Sequence, residues 1–163
     1  MRRPPRRKGQ VTVELLLVLP VFMLMLFLIM ELGNLAFQTI LAHHSAYELA
    51  RIGALVAGPK GGEDKNYCDR GNAEVKMREV LCQMFANCNN MSVSAQCIWT
   101  GSDRQVQDTG RSHSNHDLEV TMFYPARLVF PGSSFILSDP PRQKRSKTLK
   151  VMMRMPVEKP FIQ

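Results

Sequence analysis

Lys8-Gly9-Gln10-Val11-Thr12-Val13-Glu14 opens an apolar run that continues to Met30, behind a leader carrying Arg2, Arg3, Arg6, Arg7 and Lys8. From Val11 to Met30 the chain offers 20 residues interrupted only by Thr12, Glu14 and Pro20. At about 1.5 Å per helical residue, that length crosses the roughly 30 Å hydrocarbon core of a bilayer. A cleaved secretory signal has a shorter apolar core, about 7–15 residues, followed by a small-x-small cut site. The length of the run, and the lack of an Ala-x-Ala site after it, argue for a single-span anchor. Arg and Lys gather ahead of the run, which predicts a cytoplasmic leader and a translocated remainder. Glu14 is the anomaly. An isolated charge in hydrocarbon costs about 3 kcal/mol or more, so a carboxylate here needs a purpose.

The formal net charge of +7 belongs mostly to the leader; without its five basic residues, 16 basic side chains face 14 acidic ones. A nucleic-acid-binding domain keeps its cationic face in the folded part, so nucleic acid is not expected as a partner. The 163 residues suffice for a membrane helix and one modest domain.

The helix is expected to outrun the membrane. From Glu31 to about Ala57 no strong breaker intervenes, and Ala36, Ala46, Ala50, Gly53 and Ala57 form a face of small residues at helical offsets. Such residues let another backbone approach closely. Gly58-Pro59 terminates the pattern. A helix over 11–57 would measure roughly 70 Å, more than half of it beyond the lipid. Pro20 is expected to kink the buried half, and Gly33 adds a second soft point.

Beyond Gly58 the composition is that of a small water-exposed head. Asn72 is placed to cap a helix reaching about Ala86, with Met77, Val80, Leu81, Met84 and Cys88 on its apolar face. Three strands are expected from alternation: Val93, Ala95, Cys97 and Trp99 inward; Leu118, Val120, Met122 and Tyr124 inward; then Leu149, Val151, Met153 and Met155 inward. The predicted fold class is therefore α+β: a long N-terminal transmembrane helix extending into a small two-layer head, one helix on an antiparallel sheet of about three strands. The predicted boundaries are a leader over 1–9, a transmembrane helix over 10–30, its projecting continuation over 31–58 and the head over 59–163.

Cys68, Cys82, Cys88 and Cys97 all fall in the head. Four cysteines in an exported domain read as two disulfides with three alternative pairings. Cys88 on the helix face and Cys97 on an inward strand face are placed to meet, which would leave Cys68 with Cys82. Zinc is the weaker reading, because no Cys-x-x-Cys pair occurs.

Basic leader, Gly, then a carboxylate five positions later is the layout of a type IV prepilin-like cleavage site. Lys8-Gly9-Gln10, Val13-Glu14-Leu15 and Val18-Leu19-Pro20 resemble the opening of TadE-like pseudopilins of the tight-adherence (Tad/Flp) pilus system. Met30-Glu31-Leu32-Gly33 and Ala50-Arg51-Ile52-Gly53-Ala54 look like that family's later blocks, and Val151-Met152-Met153-Arg154-Met155 with Glu158 resembles its closing strand. The likeness is specific over residues 8–54 and general over the head. It implies a minor pseudopilin of a bacterial inner membrane, N-terminus cytoplasmic and head periplasmic. It also implies cleavage between Gly9 and Gln10 by a prepilin peptidase, and Glu14 as a carboxylate of processing and assembly. The implied partners are that peptidase, other pilins or pseudopilins, an inner-membrane assembly platform and membrane lipid. The alternative is an unprocessed single-span envelope protein whose head binds a ligand.

Other chemistry is weak, and no cofactor, metal or catalytic residue is expected. His43 and His44 are adjacent and so point to different helix faces. His113, His116 and Asp117 lie about a polar stretch that reads as a solvated loop. Gly58-Pro59-Lys60-Gly61-Gly62 lacks the Gly-Lys-Ser/Thr ending of a phosphate-binding loop. No serine has the Gly-x-Ser-x-Gly context of a hydrolase. Arg142-Gln143-Lys144-Arg145-Ser146-Lys147 reads as a solvated hairpin connection, with an acidic surface as its alternative contact.

Overall fold

A computed structural model of the chain describes residues 8–58, 68–100, 116–130, 132–141 and 145–157, with side chains from Val11 onward. The elements are helix α1 (Lys8–Val56), helix α2 (Arg70–Met84), a 3-10 turn (Cys88–Asn90), strand β1 (Ser92–Trp99), strand β2 (His116–Arg127), a short helix α3 (Ser133–Leu137) and strand β3 (Ser146–Pro156). The strands form one antiparallel sheet in the order β1-β2-β3. The expected α+β class is what the chain adopts.

α1 runs for 49 residues through Pro20 and Gly33. Among the described residues it is the one helix long and apolar enough to cross a membrane, and its most apolar window is not buried inside the protein. It ends at Val56, immediately before Ala57-Gly58, where Gly and Pro were expected to stop it. Two compact units divide the chain. One comprises the helix up to Gln38 with the segment Ala126–Lys147; the other comprises Thr39–Pro125 with the chain from Thr148 onward.

The second unit holds the main core. Along α1, Ala42, Ala46, Leu49, Ala50, Ala54 and Ala57 are buried at offsets of three and four, which is one helical face. Ala73, Met77 and Leu81 of α2, and Leu118, Val120, Met122 and Tyr124 of β2, complete it. Gly53 shows how tight this packing is. A Cβ there would lie 2.8 Å from Met77 Sδ and 2.9 Å from Leu118 Cδ2. The small-residue face thus packs against the protein's own side chains, Met77 of α2 and Leu118 of β2. Phe85 meets Tyr124 edge-on, ring centroids 5.7 Å apart.

β1 and β2 pair in the register Ser92↔Phe123 through Trp99↔His116. As an edge strand β1 needs protection, and Glu74 of α2 accepts the Ala95 N–H at 2.8 Å. Three expectations need correcting. The cap of α2 is Asp69, whose carboxylate accepts the Asn72 N–H at 2.9 Å, so Asn72 lies inside the first turn. Trp99 is 67% exposed rather than inward: it pairs with the first residue of β2, at the open end of the sheet.

The third correction concerns the cysteines. The disulfides are Cys68–Cys97 and Cys82–Cys88, not Cys88–Cys97 with Cys68–Cys82. The reason is the antiparallel course of α2 and β1. The 15 residues of α2 advance about 22 Å, and the chain then turns at Cys88–Asn90. Six residues of β1 from Ser92 to Cys97 climb back a comparable distance, about 20 Å at some 3.3 Å each. Cys97 therefore arrives at the helix start, beside Cys68, while Cys88 stays by the helix end with Cys82.

Candidate functional site

The most heavily engaged polar group of the first unit is a residue for which the sequence suggested no role beyond a family block. Glu31 is the first residue after the apolar run, and it is fully buried. Its carboxylate accepts the Phe130 N–H at 2.7 Å and the Val129 N–H at 3.1 and 3.2 Å. The Asn34 side-chain amide donates to it at 3.2 Å, and the Ser133 hydroxyl lies 3.1 Å away. Two successive backbone N–H groups pointing at one anion form the concave arrangement favoured for binding negative charge. Burial pushes the Glu31 carboxyl up; the Phe130 N–H, the Asn34 amide, the Val129 N–H and the Ser133 hydroxyl outweigh it, and its pKa lies below the ordinary value.

Two turns further along α1, Gln38 repeats the device with an amide. Its Nε2 donates to the Arg127 carbonyl at 2.9 Å, and its Oε1 accepts the Arg127 N–H at 2.9 Å. Gln38 thereby satisfies both main-chain groups of Arg127, as a neighbouring strand would. Asn34 adds a second donor to the same carbonyl at 3.2 Å. Phe27, one turn before Glu31, stacks on Phe130 with ring centroids 5.9 Å apart. Gly132 starts α3 with φ at +87°, a left-handed conformation that suits glycine. This brings Ser133 under the carboxylate.

Sequence held a partial signal for this site. Glu31 has no basic side chain at three or four positions either way, so a buried carboxylate there must find donors elsewhere. Those donors lie about a hundred residues away, in a stretch without periodicity.

The predicted site residues fall in several places. Gly9 and Gln10 have helical backbone at the start of α1, and Glu14 follows on its exposed surface. The first seven residues of the leader lie outside the described residues. His43 and His44 are exposed on α1. His113 lies outside the described residues, as does the stretch 103–115 as a whole. His116 accepts the Val157 N–H through its main-chain carbonyl at 2.9 Å, and Asp117 pairs with Arg154 at 2.8 Å. His116 and Asp117 therefore belong to β2. Of the basic run, 142–144 lie outside the described residues; Lys147 pairs with Asp139 at 2.6 Å, and the Arg145 carbonyl accepts the Leu128 N–H. A shallow depression in the head, about 270 Å³ and lined by Arg70, Glu74, Ser94, Gln96, Glu119 and Thr121, is polar and mixed in charge.

No curated protein and no solved structure significantly matches the chain. A family model does. Residues 9–51, which carry Gly9, Glu14, Pro20, Glu31 and Gln38, match the model described as TadE-like protein, so over that segment the chain is similar to that family.

Proposed function

We propose that the protein is a minor pseudopilin-like membrane component needed for assembly of tight-adherence pili, cut by a prepilin peptidase after Gly9. The TadE-like match over residues 9–51 carries this reading. Physical chemistry supports the details. Gly9 presents no side chain at the scissile bond, so a protease can approach the backbone closely. Cleavage would leave Gln10 with a free ammonium, four residues ahead of Glu14 and on the same helix face. Opposite charges in lipid offset part of each other's desolvation, within one subunit or between neighbours. Processing thus brings a positive charge within reach of the carboxylate at position 14.

The helix surface available for association is the stretch 11–30, whose side chains are exposed almost throughout. Of the small residues further along, Ala46, Ala50, Gly53 and Ala57 pack into the head, while Ala36 is exposed. The proposed setting is the bacterial inner membrane, leader cytoplasmic and head periplasmic. The peptidase, other pilins or pseudopilins and the assembly platform are its partners there, and its role is structural, not catalytic.

Amino-terminal sequencing of the protein from envelope fractions is the direct test. The mature chain is expected to begin at Gln10, and Gly9→Val to retain the leader and abolish piliation. A native chain that keeps its Arg-rich start would overturn the reading.

A further inference from the structure

We infer that residues 128–130 and 132–137 dock into the interfacial layer of the lipid bilayer, beside the helix to which Glu31 fastens them. This rests on the reading of residues 11–30 as the membrane span. The loop is anchored at the end of that span and reaches into it. Phe130 stacks on Phe27, four residues inside the apolar run from Glu31. Four helical residues amount to about 6 Å, within the roughly 5–10 Å to which interfacial helices sink.

The loop's outward surface is apolar where a water-facing loop would be polar. Val129 is 66% exposed, Phe135 74% and Ile136 71%, the last two adjacent on α3. Three of its polar groups are tied inward. The Val129 and Phe130 N–H groups go to Glu31, and the Ser133 hydroxyl also lies 2.8 Å from the Phe130 carbonyl. With the Leu128, Val129 and Phe130 N–H groups already bonded and bulky hydrocarbon on its outer side, the segment enters lipid at lower cost. Arg127 and Arg145 stand exposed at the loop's base, linked through the Leu128 N–H to Arg145 carbonyl bond of 2.9 Å. Guanidinium groups at that level suit lipid phosphates. The apolar patch also continues directly into the exposed span, whose surroundings are hydrocarbon. That continuity favours lipid over a second protein as the occupant.

The test uses the full chain with Trp99→Phe, so that a single introduced tryptophan reports. Phe135→Trp and, separately, Ile136→Trp are placed in single-copy phospholipid nanodiscs, with or without bromine on the acyl chains near the headgroups. Both positions face outward, so neither change disturbs the core. Phe22→Trp, about 12 Å inside the span from Met30, reports on the membrane reading itself and is read with bromine near the acyl-chain ends. Loss of emission with brominated lipid at 135 or 136, alongside loss at 22, is the expected result. Loss at 22 with none at 135 or 136 overturns the docking alone. Blue-shifted emission at 135 that bromine leaves unchanged means a protein surface covers the loop, which also overturns it. No loss at any position overturns the span and the docking together.

Discussion

Glu31 and Gln38 illustrate how much a single side chain can organise when it takes over main-chain hydrogen bonding. A carboxylate accepting several N–H groups is held ionised, and each such charge-assisted bond is worth roughly 1.5–3 kcal/mol. Glu31→Gln keeps the shape but replaces one acceptor oxygen with a donor, which must face either the Val129 or the Phe130 N–H. The expected result is loosening of residues 128–133 by on the order of 1–3 kcal/mol, read as faster amide exchange at Val129 and Phe130 with the second unit unaffected. The lowered pKa fixes the sign of the acid response. Stabilisation by the ionised group is complete above the ordinary glutamate value, near 4, and is lost as pH falls through the lowered value of the folded state. Amide shifts of Val129 and Phe130 in detergent should therefore stay flat from neutral pH down to the ordinary glutamate range and move only below it. A midpoint above the ordinary glutamate range would contradict the hydrogen-bond account.

At the level of elements, the carboxyl-terminal half of α1 does two jobs. It continues the apolar helix, and it supplies one wall of the head core through an alanine-rich face. The sequence showed the small residues plainly, but spacing alone cannot say which backbone approaches them. Gly53 is the sharpest point, because both atoms nearest a new Cβ belong to fully buried side chains. Gly53→Ala gains roughly 1 kcal/mol of helix propensity against a modest clash, so its net effect should be small. Gly53→Val adds two more carbons and loses most of that propensity. A loss of roughly 1–3 kcal/mol is expected, seen as a lower Tm by circular dichroism of the full chain. An unchanged Tm for Gly53→Val would mean that α1 and the sheet can part freely.

For the whole molecule, pattern was legible where it was local. The long helix, its stop at Gly58, the three strands and the fold class follow from periodicity of 3.6 and 2. What escaped was non-local: the carboxylate whose donors lie across the chain, the loop that supplies them, and the connectivity of four cysteines. α2 was legible except at its start, where Asp69 and Asn72 are both good caps and only three residues separate them. The disulfides permit a comparison. Cys68–Cys97 closes a separation of 29 residues and Cys82–Cys88 one of 6. By chain entropy the first should contribute roughly 3–4 kcal/mol and the second roughly 2–3. The double variant Cys68→Ser/Cys97→Ser should therefore lower Tm more than Cys82→Ser/Cys88→Ser. The reverse order would show that the short bridge, by clamping the end of α2, matters more than the long one.

The two ties between α1 and the segment 127–133 sit at Glu31 and Gln38, seven residues or about two turns apart. One tie would let a cylinder swivel; two along its length lock its azimuth. The rotational setting of the apolar rod about its own axis, relative to that segment, is consequently written into residues encoded about a hundred positions downstream.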